Sequence, residues 1–220
     1  MTFGLIRERK NPPDHRAVLS PTACQKVQNR FPQARFLVES STVRDFSDEE
    51  YREAGIAVGE DMSGCDVLLG VKEVPVEALI PNKKYFFFSH TIKKQPYNRD
   101  LLRAILNKNL EFYDHEVITN LSGNRLVAFG RYAGIVGAYN GFRAYGLKTR
   151  SYELPKAGTL SDQQALIHKL QKLKLSPIKV LLTGRGRVGS GAKEMLDAMG
   201  MQRVAVKDYL SKDFPYPVYC

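Results

Sequence analysis

IKVLLTGRGRVGSGAKEMLDAMGMQRVAVKD, residues 178–208, is the stretch whose reading decides the fold. Its apolar residues 180–183 read as a buried strand, Gly184-Arg185-Gly186-Arg187-Val188-Gly189 as a turn, and residues 190–199 as a helix that Gly200 ends. Residues 203–207 read as a second strand, with Asp208 at its end, nineteen residues after Gly189. A bare GxGxxG is a weak signal, but strand, glycine turn, helix, strand and terminal acid together are the order of a dinucleotide-binding βαβ unit. In such a unit Gly184 permits the tight turn, Gly186 lets a pyrophosphate approach the backbone, and Gly189 lets helix meet strand. The anion then rests on free N–H groups of the helix. Asp208 is placed to accept hydrogen bonds from an adenosine ribose. A carboxylate there would repel a 2′-phosphate, which favours NAD over NADP, although Arg185 or Arg187 could serve a phosphate instead.

Upstream of this unit, Ser161 is expected to cap a helix running to Lys172, and KTRSYELPKAGTL, residues 148–160, reads as a loop. Before it, GRYAGIVGAYNGFRAYG, residues 130–146, sets aromatic and aliphatic residues at helical intervals while Gly130, Gly134, Gly137 and Gly141 line another side. The favoured reading is a buried connecting helix whose glycines admit a close neighbour, over direct contact with a ligand. The first half alternates short apolar runs with amphipathic stretches, as a largely parallel α/β sheet does. Residues 3–6, 35–38, 67–71, 85–88 and 110–118 read as strands. Ser20-Pro21 and Ser47-Asp48-Glu49-Glu50 announce helices, the second as a capping box, and residues 98–108 form another. The expected organisation is a Rossmann-like α/β substrate and catalytic domain over residues 1–130 and a connecting helix and loop over 131–160. An incomplete doubly wound dinucleotide-binding domain follows over 161–220, because only one βαβ unit fits after Thr183.

Composition narrows the function classes. A chain of 220 residues with 43% hydrophobic and 25% charged residues can bury a core without staples. Cys24, Cys65 and Cys220 are odd in number, widely spaced and without a CxxC, so neither a disulfide framework nor a metal site is indicated. The charged residues directly after the first six leave no signal-peptide core, and no run suits a membrane span, so a cytoplasmic protein is expected. The net charge of +10 is spread along the chain. One of the denser clusters, Lys169, Lys172 and Lys174, is interleaved with leucines as a solvated helix face is, and no nucleic-acid-binding module is recognisable.

Candidate chemistry lies at strand ends. In parallel sheets these open onto the ligand crevice, so Lys72-Glu73 after DVLLGV and His90 after KYFFFS would arrive at one edge. Alone, the Lys–Glu pair reads equally well as a solvated ion pair and His90 as a core histidine; together they favour a site. Arg16 and Arg125 suit a substrate carboxylate through the guanidinium fork, though each alone reads as a surface arginine. Glu111, Asp114, His115 and Glu116 form a further group near a strand. His115 and His168 have no partner pattern and read as structural or exposed.

LIRERKNPPDHRAVLSPTAC (5–24), VLLGVKEVP (67–75), FFFSHTIKKQ (86–95), YDHEV (113–117), RLVAFGRYAGIVGA (125–138) and GRVGSGA (186–192) resemble, in order, segments of the lysine-forming saccharopine dehydrogenases. They also resemble the wider alanine dehydrogenase and transhydrogenase family and the first part of the bifunctional lysine-degrading enzyme. The resemblance implies Lys72 and His90 as acid and base around a C–N bond, with Glu73 and Glu116 tuning them. It implies Arg16, Lys93 and Arg125 as carboxylate-binding residues, and Gly184, Gly186, Arg187, Gly189 and Asp208 in an NAD site. The implied reaction converts saccharopine, NAD and water to lysine, 2-oxoglutarate and NADH, and the chain would be an N-terminal portion inactive alone. The implied partner is a small amino acid or keto acid, with a homo-oligomer left open. The glycine spacing at Gly184 departs from that of the saccharopine enzymes. Alanine dehydrogenase, and a non-catalytic amino-acid or nucleotide-binding module, are the alternative readings.

Overall fold

The computed structural model describes residues 1–220, which form two compact units, Met1–Ala128 and Phe129–Cys220. In the first, the apolar runs become β1 (Thr2–Leu5), β2 (Arg35–Glu39), β3 (Ala57–Gly59), β4 (Val67–Leu69), β5 (Lys84–Phe87) and β6 (Glu111–Asp114). They make one parallel sheet in the order β3-β2-β1-β4-β5-β6. This is the doubly wound order, with its switch point between β1 and β4.

Alternation along the strands feeds two cores. Leu68, Tyr85 and Phe87 pack with Leu101, Ala104 and Ile105 of α3 (Arg99–Asn107). On the opposite face Leu5, Phe36 and Val38 meet Cys24 of α1 (Pro21–Arg30) and Tyr51 of α2 (Asp48–Glu53). A sheet buried on both faces needs continuous apolar strands, as these are. Both helix starts form as their sequences suggest: the Ser20 hydroxyl accepts from Ala23 N at 3.2 Å, and Ser47 with Glu50 closes a reciprocal capping box. β6 ends four residues earlier than expected, because Val117 N donates to Asp114 O and turns the chain.

The second unit contains α4 (Gly130–Thr149), α5 (Gln163–Gln171), β7 (Lys179–Val180), α6 (Arg187–Ala198), β8 (Gln202–Arg203), α7 (Val206–Ser211) and β9 (Val218–Tyr219). The helix expected to connect two domains is packed as a member of this unit. A Cβ at Gly134 would lie 1.9 Å from the Val188 carbonyl oxygen, and one at Gly191 would lie 1.9 Å from that of Arg131, so α4 and α6 cross with their backbones touching. Gly137 and Gly141 of the same stripe face open space. Asp162, rather than Ser161, caps α5, accepting from Ala165 N at 2.8 Å. Lys169 is exposed while Leu166 and Leu170 are buried, the division a solvated helix face produces.

The small sheet runs β7-β9-β8, all parallel, and β9 was not foreseen. Its insertion between β7 and β8 corrects the reading of residues 203–207 as a strand. Val204 N donates to Tyr219 O at 2.9 Å, pairing ceases, and residue 206 begins α7. Asp208 therefore stands in the first turn of a short helix, paired with Lys212 at 2.8 Å, and not at a strand's end.

Candidate active site

Four loops leave the carboxyl ends of β1, β4, β5 and β6 and carry every residue proposed for chemistry in the first unit. The β4 end is fixed on one side by its neighbours: Gly70 N donates to Phe86 O and Phe88 N to Val71 O. From β1 the Glu8 carboxylate reaches across the switch point and accepts from Val71 N at 2.6 Å and Lys72 N at 2.8 Å. Burial raises the Glu8 carboxyl above its ordinary value, outweighing these two hydrogen bonds. In the same loop Asp14 accepts from Arg16 through a two-point fork, Nε at 2.9 Å and Nη2 at 2.5 Å. That bond holds Asp14 below the ordinary carboxylate value, and the Lys72 charge contributes in the same direction.

His90 sits at φ +56°, in the left-handed region that a branched or bulky residue adopts at a cost, and Lys94 shares that conformation at φ +54°. The surroundings enforce it. Buried Asp114 accepts from the Ser89 hydroxyl, from Ser89 N at 3.4 Å and from Glu116 N at 2.8 Å, tying the β5 and β6 loops together. His90 Nδ1 consequently lies 3.0 Å from Glu116 Oε2, and Nε2 lies 3.6 Å from Glu73 Oε1. Lys93 Nζ is 3.3 Å from His90 Nδ1 and 3.4 Å from Glu116, and Arg125 is 3.7 Å from the same carboxylate while its guanidinium stands over Phe88. Burial alone would raise Glu116; the hydrogen bond from His90 and the charge of Lys93 outweigh it and hold the carboxyl below its ordinary value. A half-buried imidazole with a carboxylate at each nitrogen can exchange a proton while two cations remain beside it to bind an anion.

Of the residues nominated from sequence, His90, Glu73, Glu116, Lys93 and Arg125 thus form one network. Lys72 and Arg16 belong to the adjoining group with Glu8 and Asp14. Glu8 and Asp14 were missed; the available signal was an acid shortly after the strand that borders the switch point. Glu39 was missed as well. It ends β2, where a dinucleotide-binding sheet places its ribose acid, yet it is 4% exposed and accepts from Arg7 N at 2.9 Å and Arg9 Nη1 at 3.1 Å. With that acid internally paired and RERKNPP in place of a glycine turn, the first sheet has the strand order of a nucleotide site without its binding groups.

Such groups occur in the second unit. Gly184 has φ +94°, a Cβ at Gly189 would lie 2.2 Å from Gly184 O, and Gly186 has open space where a Cβ would be. The first N–H groups of α6, like those of any helix, lack an intrahelical acceptor, and no side chain caps them. These features fit the pyrophosphate of a dinucleotide. The ribose contact expected of Asp208 has no counterpart at a strand end.

Residues 4–136 match the family model described as "Alanine dehydrogenase/PNT, N-terminal domain". The chain is 32% identical to saccharopine dehydrogenase [NAD(+), L-lysine-forming] of Candida glabrata over 89% of this chain and 57% of that protein. It is 32% identical to the mitochondrial alpha-aminoadipic semialdehyde synthase of Bos taurus over 92% of this chain and 24% of that protein. It therefore spans between about a quarter and somewhat over half of these relatives. A solved L-alanine dehydrogenase superposes on all of this chain, and on 61% of its own, with a TM-score of 0.63 and 16% identity, a likeness of fold.

Proposed function

Because the chain belongs to the family of the alanine dehydrogenase/PNT N-terminal domain, we propose that it supplies the substrate site and the start of the cofactor site of an NAD-dependent amino-acid dehydrogenase, most like saccharopine dehydrogenase. The observation that carries this reading is the His90 imidazole held between Glu73 and Glu116 with Lys93 and Arg125 at its margin. In this scheme Arg16, Lys93 and Arg125 bind the carboxylates of an amino-acid substrate, each exchanging its present carboxylate partner for one from the ligand. Lys72 and His90 move protons at the nitrogen of the C–N bond that is oxidised and at the water that adds to its carbon, and Glu73 and Glu116 set their charge balance. When bound, NAD accepts the hydride. Gly184, Gly186 and Gly189 admit its pyrophosphate to the α6 N-terminus, with Arg187 beside it.

The test is made in the complete enzyme. Lys72→Met or His90→Gln is expected to lower turnover of saccharopine roughly a hundredfold or more with NADH affinity retained. Unchanged turnover removes both residues from the chemistry. A substrate screen on the same enzyme separates the second reading, since the family model also carries the alanine dehydrogenase name: oxidation of alanine but not saccharopine would favour it.

A further inference from the structure

We propose that Glu8 is a positioning residue for Lys72: its two carboxylate oxygens clamp the consecutive amides of Val71 and Lys72 and so set the direction in which the Lys72 and Glu73 side chains leave β4. The inference rests on the reading of Lys72 as an acid–base group. β4 is only three residues long, and its last ladder contacts engage Gly70 and Val71, so Lys72 N has no partner strand. Without Glu8 a half-buried N–H would be left unsatisfied at the point where the chain must turn. A carboxylate suits this place because it accepts at both oxygens, whereas an amide or a protonated acid offers an acceptor on one side and a donor on the other.

The same stretch is held from the other side by β5, where Gly70 N donates to Phe86 O at 2.8 Å and Phe88 N to Val71 O at 3.1 Å. Residues 70–72 are thereby gripped by β5 on one side and through two amides from the β1 end on the other. The charged groups facing Glu8 are Asp14, which disfavours its ionisation, and Arg16, which favours it; Lys72 leaves from the clamped peptide itself. The clamp therefore loosens when Glu8 takes up a proton, at a pH above the ordinary glutamate range.

The full chain, labelled with nitrogen-15, tests this without turnover. Between pH 3.5 and 8 the amides of Val71 and Lys72 are expected to titrate together, with a midpoint above that of an ordinary glutamate. In Glu8→Gln that common titration is lost while the amides within β1 and β4 keep their positions, and Glu8→Asp restores a titrating carboxylate. The side chain is read with carbon-13 dimethyl-lysine: the Lys72 resonance should step at the same midpoint in the wild type and not in Glu8→Gln. Amides that do not titrate together in the wild type, a titration that persists in Glu8→Gln, or a Lys72 resonance without the step would each overturn the clamp. The wild-type titration decides the matter even if the variant fails to fold. Failure to oxidise saccharopine would remove the proposed reaction and leave these readouts intact.

Discussion

Gly134 and Gly137 lie one turn apart on α4, and the structure assigns alanine opposite effects at the two positions. A Cβ at Gly134 would stand 1.9 Å from Val188 O, 2.7 Å from Ala192 N and 2.9 Å from Val188 C, all backbone atoms of α6. Carbon and carbonyl oxygen normally approach to about 3.3 Å, so α4 and α6 would have to separate by more than an ångström. That movement would also open the reciprocal contact of Gly191 on Arg131 O. Overpacking of a well-packed site costs roughly 1–3 kcal/mol, and backbone neighbours that cannot rotate away place Gly134→Ala at the upper end. Against this, alanine in a helix interior gains about 1 kcal/mol over glycine, leaving a net loss of about 1–2 kcal/mol. At Gly137 nothing lies within 4 Å, so only the helix gain applies and Gly137→Ala should stabilise by about 0.5–1 kcal/mol. Urea unfolding of the full chain, followed by far-UV circular dichroism, measures both. A Gly134→Ala chain as stable as wild type would refute a backbone-to-backbone crossing, and loss of stability in Gly137→Ala would refute the open face.

Asp14 gives a pH dependence whose sign is fixed by its hydrogen bond to Arg16. Its folded value lies below the unfolded reference of 3.8, so its contribution to stability is present above that reference and is lost as pH falls through the folded value. Arg16→Gln should therefore be less stable than wild type near pH 6 and converge on it in strong acid; a stability gap that does not change with pH would contradict the pairing. At Asp208, whose side chain meets Lys212 on the surface of α7, alanine should cost at most about 1 kcal/mol of stability. It should also leave the NADH affinity of the complete enzyme unchanged, and a loss of tenfold, about 1.4 kcal/mol, would return Asp208 to the ribose.

The parallel sheet was legible because a strand buried on both faces must be continuously apolar, and VLL at 67–69 or YFF at 85–87 can satisfy nothing else at that length. His90 and Lys72 were legible for a related reason: a titratable side chain directly after such a run is carried to the crevice edge. Glu8 and Asp14 were not. In RERKNPPDHR they look like any acids in a charged loop, and only the adjacency of β1 and β4, which is separated by more than sixty residues of chain, brings Glu8 to the Lys72 amide. β9 escaped notice because its two residues follow FPYP and have no apolar run of their own. The second error lay beside it: residues 203–207 have strand composition and end on an acid at a nucleotide-site spacing, but pairing with β9 stops after Val204 and residue 206 begins α7.

The two sheets separate features that usually occur together. Strand order alone would direct a nucleotide to the first sheet, at the β1–β4 switch point. What prevents this is local: the loop after β1 carries two prolines and six charged side chains in place of glycines, and Arg9 saturates the acid at the end of β2. The same loop turns three of its charges, Glu8, Asp14 and Arg16, toward the β4 end, where they hold a backbone and present a guanidinium. The side chains of this loop thus set the crevice apart from a phosphate-binding one while the strand order stays the same. The loop's charges are therefore the place to look when substrate preference differs between members of this family: exchanging residues 7–16 between two of them should move specificity for the anionic substrate, with NADH affinity left as it was.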